Sequence, residues 1–269
     1  STTMNSNNKI VVAGLIALII LTACSGGSGG SSAIPIAAQT DSGTVQGVTD
    51  GNLNLYKGIP YAKPPVGTLR WKAPQRPDPW TGERSATSFG PHCAQTGLTT
   101  PGLSGSEDCL TLNVWAPTQS ATALLPVFVY LHEGANLVGS GDIDFSRFAQ
   151  AGPVVVVSLN YRLGPFGFLG HPGLAAEDPH GSTGNYGILD QIAALQWVQR
   201  NIRNFGGDPA RVTVGGYSAG ANDTAVLVTS PLAQGLFSAA IVMSHTWMVQ
   251  PAPVVANTAR VATEYLGCD

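Results

Sequence analysis

The chain has 269 residues, 43% hydrophobic and only 11% charged, with a formal net charge of -3. That is enough for one large domain with a substantial core, and it contains no basic patch of the kind nucleic-acid binding needs. Thirty-three glycines and 19 prolines predict many tight turns between short elements, and no internal repeat is visible.

The first element is a targeting segment. Lys9 supplies a positive charge, and Ile10 to Leu21 is an apolar run. It is shorter than the roughly 20 residues of a membrane-spanning helix, and suits the apolar region of a secretory signal. It ends in Leu21-Thr22-Ala23-Cys24, which resembles the bacterial lipobox, and a Gly/Ser-rich stretch follows from Ser25 to Ser32. The reading is a signal over residues 1–23, lipidation of Cys24, and a flexible tether over 24–40. An ordinary cleaved signal with an incidental Cys24 is the alternative. By resemblance to sorting rules, Ser25 in place of aspartate favours an outer-membrane or surface location.

The folded part, residues 41–269, opens as a hairpin. Gly43 to Val48 alternates, Asp50-Gly51 makes the turn, and Leu53 to Tyr56 returns. Pro-rich coil follows to Pro79. Cys93 and Cys109 bracket a loop of Gly, Thr, Ser and Pro, and export would allow them to join. Leu110 to Trp115 alternates like a strand. Pro126 to Leu131 and Val154 to Leu159 are nearly continuous apolar runs, as expected of strands buried on both faces of a mostly parallel sheet. Leu189 to Ile202 has helical spacing, with Ile192, Leu195, Trp197, Val198 and Ile202 on one side. Val212 to Val214 and Ala239 to Met243 are further strands. Strands alternating with helices make an α/β fold.

The residues between those last two strands carry chemistry. Gly216-Tyr217-Ser218-Ala219-Gly220 is a Gly-x-Ser-x-Gly pentapeptide after a strand and before a helix-forming run (Ala221, Ala225, Val226, Leu227). Such a turn presents a serine Oγ from strained backbone, and the glycines remove Cβ atoms that would clash.

Several long motifs in order resemble those of the type-B carboxylesterases, which include the cholinesterases, within the α/β-hydrolase fold. They are Gly58-Ile59-Pro60-Tyr61-Ala62-Lys63-Pro64-Pro65-Val66-Gly67, Glu107-Asp108-Cys109-Leu110-Thr111-Leu112-Asn113, Gly184-Asn185-Tyr186-Gly187, Phe205-Gly206-Gly207-Asp208-Pro209 and Ser218-Ala219-Gly220-Ala221. The resemblance runs from about Gly43 onward. It implies a Cys93–Cys109 disulfide and two buried ion pairs, Arg70 with Glu107 and Arg162 with Asp190; solvated surface charges are the alternative for each pair. It implies ester hydrolysis with Ser218 as nucleophile, on a small-molecule ester. The residues show no metal-ligand spacing and no nucleotide fingerprint, so no cofactor is implied. A non-catalytic binding or surface domain derived from such an esterase is the competing reading.

A serine nucleophile needs a histidine base and an orienting carboxylate, in this fold in the order Ser, acid, His. After Ser218 the chain carries only Asp223, Glu264, Asp269 and His245. His245 fits neither the family order nor the geometry. The resemblance therefore implies that this chain is the N-terminal portion of a longer enzyme, inactive alone, with acid and histidine further along. An open sheet edge is then expected, and Cys268 is either a buried thiol or partnered beyond the chain. Where the family has His-Gly-Gly-Gly-Phe, this chain has His132-Glu133-Gly134-Ala135-Asn136. Backbone donors survive such changes, so the N–H groups of Gly134, Ala135 and Ala219 are the expected oxyanion hole. Glu133 either points inward, repelling a developing anion, or outward to solvent. Tyr217 departs from the family's glutamate and Met243-Ser244-His245 from its Gln-Ser-Gly. Ala94 to Asp108 contains no aromatic residue, so the cholinesterase cation–π site has no counterpart there. Oligomeric state is left open.

Overall fold

A computed structural model describes residues 34–97, 102–118, 123–245 and 250–267. The signal segment, Cys24, the Gly/Ser stretch and Cys268 lie outside the described residues. The expected hairpin is β2 (Thr44–Asp50) and β3 (Leu53–Pro60), antiparallel with Asp50 opposite Leu53. Its turn rests on Gly51 at φ +59°, a left-handed conformation that glycine adopts without a Cβ penalty. The tether assignment ends too late. Ile34–Gln39 form a strand, β1, that pairs antiparallel with β2. In the structure Ala38 and Thr40 are buried while Ala37 and Gln39 are exposed, a period of two. A short strand there also covers what would be an unpaired hairpin edge.

Short β4 (Glu83–Ser85) pairs with the same hairpin, while β5 (Gln95–Thr96) and β6 (Leu103–Ser104) form a separate ribbon. The alternating run becomes β7 (Thr111–Pro117). The apolar runs become β8 (Leu125–Leu131) and β9 (Val155–Leu159). Helices α1 (Ser146–Ala151), α2 (Gly164–Phe168), α3 (Pro172–Ala176) and α4 (Tyr186–Asn201) follow. Then come β10 (Gly207–Tyr217), α5 (Ala219–Thr229), β11 (Ala239–Met243) and α6 (Ala252–Leu266).

The main sheet runs β1-β2-β3-β7-β9-β8-β10-β11. It is antiparallel from β1 through β7 to β9, and parallel from β9 through β8 and β10 to β11. The parallel part is where long apolar runs were read, and the reason is visible in their packing. Val127 and Val129 of β8, with Val155 and Val157 of β9, enter the larger core, which also holds Leu195, Trp197 and Val198 of α4. The residues between them, Phe128 and Val156, face the other side with Trp115 and Ala149 of α1. Strands covered on both faces cannot alternate with polar residues. β11 differs: all five of its residues are exposed, and among the described residues it pairs only with β10.

Three cross-links tie the loops to this frame. Cys93 and Cys109 are bonded, with Sγ atoms 2.03 Å apart. Arg70 donates to both carboxylate oxygens of Glu107 at 2.6 Å. Burial was expected for this pair, but its side chains are 38% and 23% exposed, because they sit at the loop surface. A partly hydrated pair contributes about 0–1 kcal/mol. Arg162 and Asp190 are buried as expected, at 3% and 0% exposure. Arg162 gives Nε at 2.8 Å, Nη2 at 2.7 Å and its own N–H at 3.0 Å to that carboxylate, and Nη2 also reaches the Lys72 carbonyl at 2.9 Å. Burial raises the Asp190 carboxyl and the guanidinium opposes the rise. Removing one partner of such a pair costs about 3–5 kcal/mol, because the other charge stays buried alone. The pair pins the start of α4 to the turn after β9, beside the candidate site.

Candidate active site

Ser218 is the single residue between the end of β10 and the start of α5. Its backbone sits at φ +54°, ψ -115°, a region a non-glycine residue occupies at a cost of about 1–3 kcal/mol. Tertiary contacts hold it there. The Ser218 N–H donates to the Met243 carbonyl of β11 at 3.0 Å, and the Ser218 carbonyl accepts from Ala221 and Asn222 at 3.0 Å each. The flanking glycines are needed for closeness and not for φ. A Cβ on Gly220 would lie 2.0 Å from the Leu131 carbonyl oxygen, and one on Gly216 would lie 2.4 Å from the Gly220 carbonyl carbon. Real Cβ contacts are never so short, so only glycine lets the first turn of α5 sit against the end of β8. Ser218 is half-buried; Tyr217, beside it, is exposed.

The chain leaves β8 through His132 and turns sharply. Gly134, Ala135 and Asn136 have φ of +116°, +57° and +56°. For alanine the left-handed form costs roughly 1–2 kcal/mol. The turn closes with the N–H groups of Leu137 and Val138 on the Gly134 carbonyl, at 2.9 and 3.0 Å, and the Gly164 N–H on the Asn136 carbonyl at 2.6 Å. Gly134 could carry no side chain, since a Cβ would meet the Val138 oxygen at 1.9 Å. Among the described residues, the backbone N–H groups of Gly134, Ala135 and Ala219 donate no hydrogen bond. The Ala219 N–H is also the first donor of a helix, where the dipole favours negative charge. Glu133 takes neither of its two expected positions outright. It is half-buried and folds back along β8, accepting the Tyr130 hydroxyl at 2.7 Å. Burial, then Glu133, raises the Tyr130 hydroxyl above its ordinary range.

Behind this loop lies a buried polar chain that motif reading did not find. The His132 ring stacks on Tyr161, centroids 4.3 Å apart, with Nδ1 2.7 Å from the Glu133 carbonyl. The Tyr161 hydroxyl lies 2.8 Å from the His132 carbonyl and 3.1 Å from Asn136 Oδ1. Asn136 Nδ2 donates to Asp223 Oδ1 at 2.9 Å, and Gln191 Nε2 to Asp223 Oδ2 at 2.6 Å. Asp223 is 3% exposed and Gln191 0%. Burial lifts the Asp223 carboxyl to about 6, against the pull of its two amide bonds. Burial likewise lowers His132 to about 4 and keeps it neutral. The sequence hint was a single carboxylate inside an otherwise uncharged helix, a position that, if buried, must have partners.

Ala135, Asn136, Ala219 and Asp223 line a cavity of about 420 Å³, completed by apolar side chains that include Phe168, Ile188 and Val226. Its shape and lining suit a small, largely apolar ligand. His245 also lines it, with Nδ1 2.7 Å from Asn222 Oδ1. Among the described residues no histidine hydrogen-bonds the Ser218 hydroxyl, and Glu264 is paired with Arg260 on α6. No group of three or more His, Cys, Asp or Glu among them is placed to hold a metal, and no described helix is long and apolar enough to cross a membrane.

Comparison with known proteins places this geometry. The family profile described as "Carboxylesterase family" matches residues 35–269. The chain is 48% identical over 230 residues to the fumonisin B1 esterase of Sphingopyxis macrogoltabida, covering 80% of this chain and 42% of that protein. It is 44% identical over 236 residues to the para-nitrobenzyl esterase of Bacillus subtilis (strain 168), covering 85% and 47%. Among solved structures, the Geobacillus stearothermophilus carboxylesterase EST55 superposes with a TM-score of 0.78 at 41% identity, over 87% of this chain and 48% of that one. The chain thus spans less than half the length of these relatives.

Asp223 and His132 give opposite pH dependences over one window. The raised Asp223 carboxyl contributes stability at low pH that is lost as pH rises from about 4 to about 6. The lowered His132 contributes stability present above its unfolded pKa of 6.5, lost as pH falls to about 4. In the wild type the two slopes oppose. Asp223→Asn removes the first, so urea unfolding of that variant should lose up to about 3 kcal/mol between pH 6.5 and 4 relative to the wild type's own change. Parallel pH curves for the two proteins would contradict this.

Proposed function

Because the chain belongs to the carboxylesterase family, we propose that it carries the nucleophile and the oxyanion donors of an enzyme that hydrolyses carboxylic esters by acyl transfer. Ser218 Oγ attacks the ester carbonyl carbon, and its proton passes to a histidine supplied by sequence outside this chain. The carbonyl oxygen, now an anion, is received by the N–H groups of Gly134, Ala135 and Ala219. The intermediate collapses, the alcohol leaves with the proton, and an acyl-Ser218 ester remains. Water activated by the same base then releases the acid. One observation carries the reading: a serine fixed in strained backbone at the turn into α5, with the N–H groups of Gly134, Ala135 and Ala219 donating no hydrogen bond among the described residues. Donors fixed before reaction pay no reorganisation cost, and each is typically worth about a hundredfold to a thousandfold in rate.

The altered loop favours the alternative of a non-catalytic binding domain only if Glu133 faces the anion. The Tyr130 hydroxyl on that carboxylate speaks against it. The cavity, apolar over most of its lining with Asn136, Asp223 and His245 among its polar residues, supports a small ester as substrate. We further propose that the protein is exported and tethered to a bacterial membrane, at the outer membrane or surface, through lipid on Cys24. The lipobox-like residues and the Gly/Ser stretch support this.

By itself this chain should not turn over p-nitrophenyl acetate faster than its Ser218→Ala variant, since no described histidine serves Ser218. Ser218-dependent turnover by the 269-residue chain would show that the base is already here. For the anchor, mass spectrometry of protein expressed in a bacterium should find a diacylglycerol-bearing N-terminal Cys24. An unmodified Cys24 thiol in the exported protein would contradict the anchor.

A further inference from the structure

Two consecutive left-handed residues, Ala135 and Asn136, are neither of them glycine, so the turn that presents the Gly134 and Ala135 N–H groups does not hold itself. Asn136 is gripped on three sides. Its carbonyl accepts from Gly164 at 2.6 Å, its Oδ1 lies 3.1 Å from the Tyr161 hydroxyl, and its Nδ2 gives a hydrogen bond to Asp223 at 2.9 Å. The third grip is the one that reaches the nucleophile's own helix. α5 begins at Ala219, whose N–H is the other proposed donor, and carries Asp223 one turn later. Asp223 is in turn fixed to α4 by Gln191 at 2.6 Å. Its carboxylate is the one buried acid among the described residues with no cation hydrogen-bonded to it, unlike Asp190 on Arg162.

We propose that Asp223 is a positioning residue for the acyl-transfer site: through Asn136 it locks the loop bearing the Gly134 and Ala135 donors to the helix bearing the Ala219 donor. This rests on the ester-hydrolase reading for its purpose, though not for its geometry. The chemistry of the side chain suits the task. An ionised carboxylate is acceptor-only, and here it faces two amide NH2 groups. Asparagine in its place meets one of them donor to donor unless Gln191 turns its amide over. That turn is open to it, because Gln191 Oε1 is buried and makes no hydrogen bond among the described residues. Burying the charge costs global stability, so Asp223 serves the loop at the expense of the fold.

Amide hydrogen exchange by NMR tests the lock at the three N–H groups that close the turn, those of Leu137, Val138 and Gly164. In Asp223→Ala they should exchange at least about tenfold faster, while amides in the middle of β8 and β10 keep wild-type rates. Asn136→Gly, which keeps the left-handed backbone and deletes both side-chain grips, should accelerate the same three amides more than Tyr161→Phe, which deletes only the Tyr161 grip, and that difference decides the matter if Asp223→Ala does not fold. Asp223→Asn, with Gln191 turned, should restore most of the protection. Wild-type rates at all three positions in Asn136→Gly would overturn the lock, and so would acceleration spread evenly through β8 and β10. None of these readouts uses ester turnover. An unreactive Ser218 beside an accelerated loop would therefore remove the hydrolase reading and leave the lock standing.

Discussion

The contact on which the site depends is backbone against backbone. The first turn of α5 approaches the end of β8 so closely that a Cβ on Gly220 would lie 2.0 Å from the Leu131 oxygen. Without that approach, α5 would stand off the sheet and Ser218 would relax from φ +54°. With it, the serine is forced to the apex of a sharp turn, and the first N–H of α5 comes beside the loop leaving β8. The parallel pairing of β10 with both β8 and β11 makes the approach possible, because it brings three strand ends together on one side of the sheet. The core packed on both faces of β8 and β9, with Val212 and Val214 of β10 joining its larger side, is what resists the strain.

Around this contact the protein spends polar groups in buried places. Arg162 and Asp190 pin the turn after β9 to α4. His132, Tyr161, Asn136, Asp223 and Gln191 run from the loop to the two helices. Neither arrangement is the cheapest way to fill a core, since apolar side chains of similar volume would avoid the desolvation of charge. Both lie where backbone geometry has to be fixed and the local residues cannot fix it alone. The left-handed Ala135 and Asn136 are the clearest case, with the Asn136 side chain bonded to Asp223, whose carboxyl burial raises.

How much of this could be read from residues alone follows from the range of each interaction. β8 and β9 were legible because burial on both faces writes a continuous apolar run, as in Val155 to Leu159. The hairpin was legible because Asp50-Gly51 names its turn. The α/β-hydrolase class and the carboxylesterase family were legible in motif order. β1 was obscured by the Gly/Ser stretch that precedes it, and by Ala37 and Ala38, one exposed and one buried in the strand, which write no alternation. The small ribbon of β5 and β6 left no pattern that two residues could carry. The pairing of Arg70 with Glu107 was legible by resemblance, but not its exposure, which depends on where the loop lies. Asp223 and Asn136 are 87 positions apart, so no local pattern joins them. Glu133 could be placed only once Tyr130 was seen beside it.

The central claim is that Ser218, strained at the turn into α5, is the nucleophile. Its most direct measurement is reaction of the protein expressed in full with a fluorophosphonate, followed by peptide mapping. Phosphonylation is a covalent step at the serine Oγ with fluoride as leaving group, and it depends on an activated hydroxyl and on donors for the phosphonyl oxygen. One adduct on the Ser218 peptide, absent from Ser218→Ala, is the result predicted here. A folded protein that takes no label at Ser218, or takes it equally at other serines, would contradict the account.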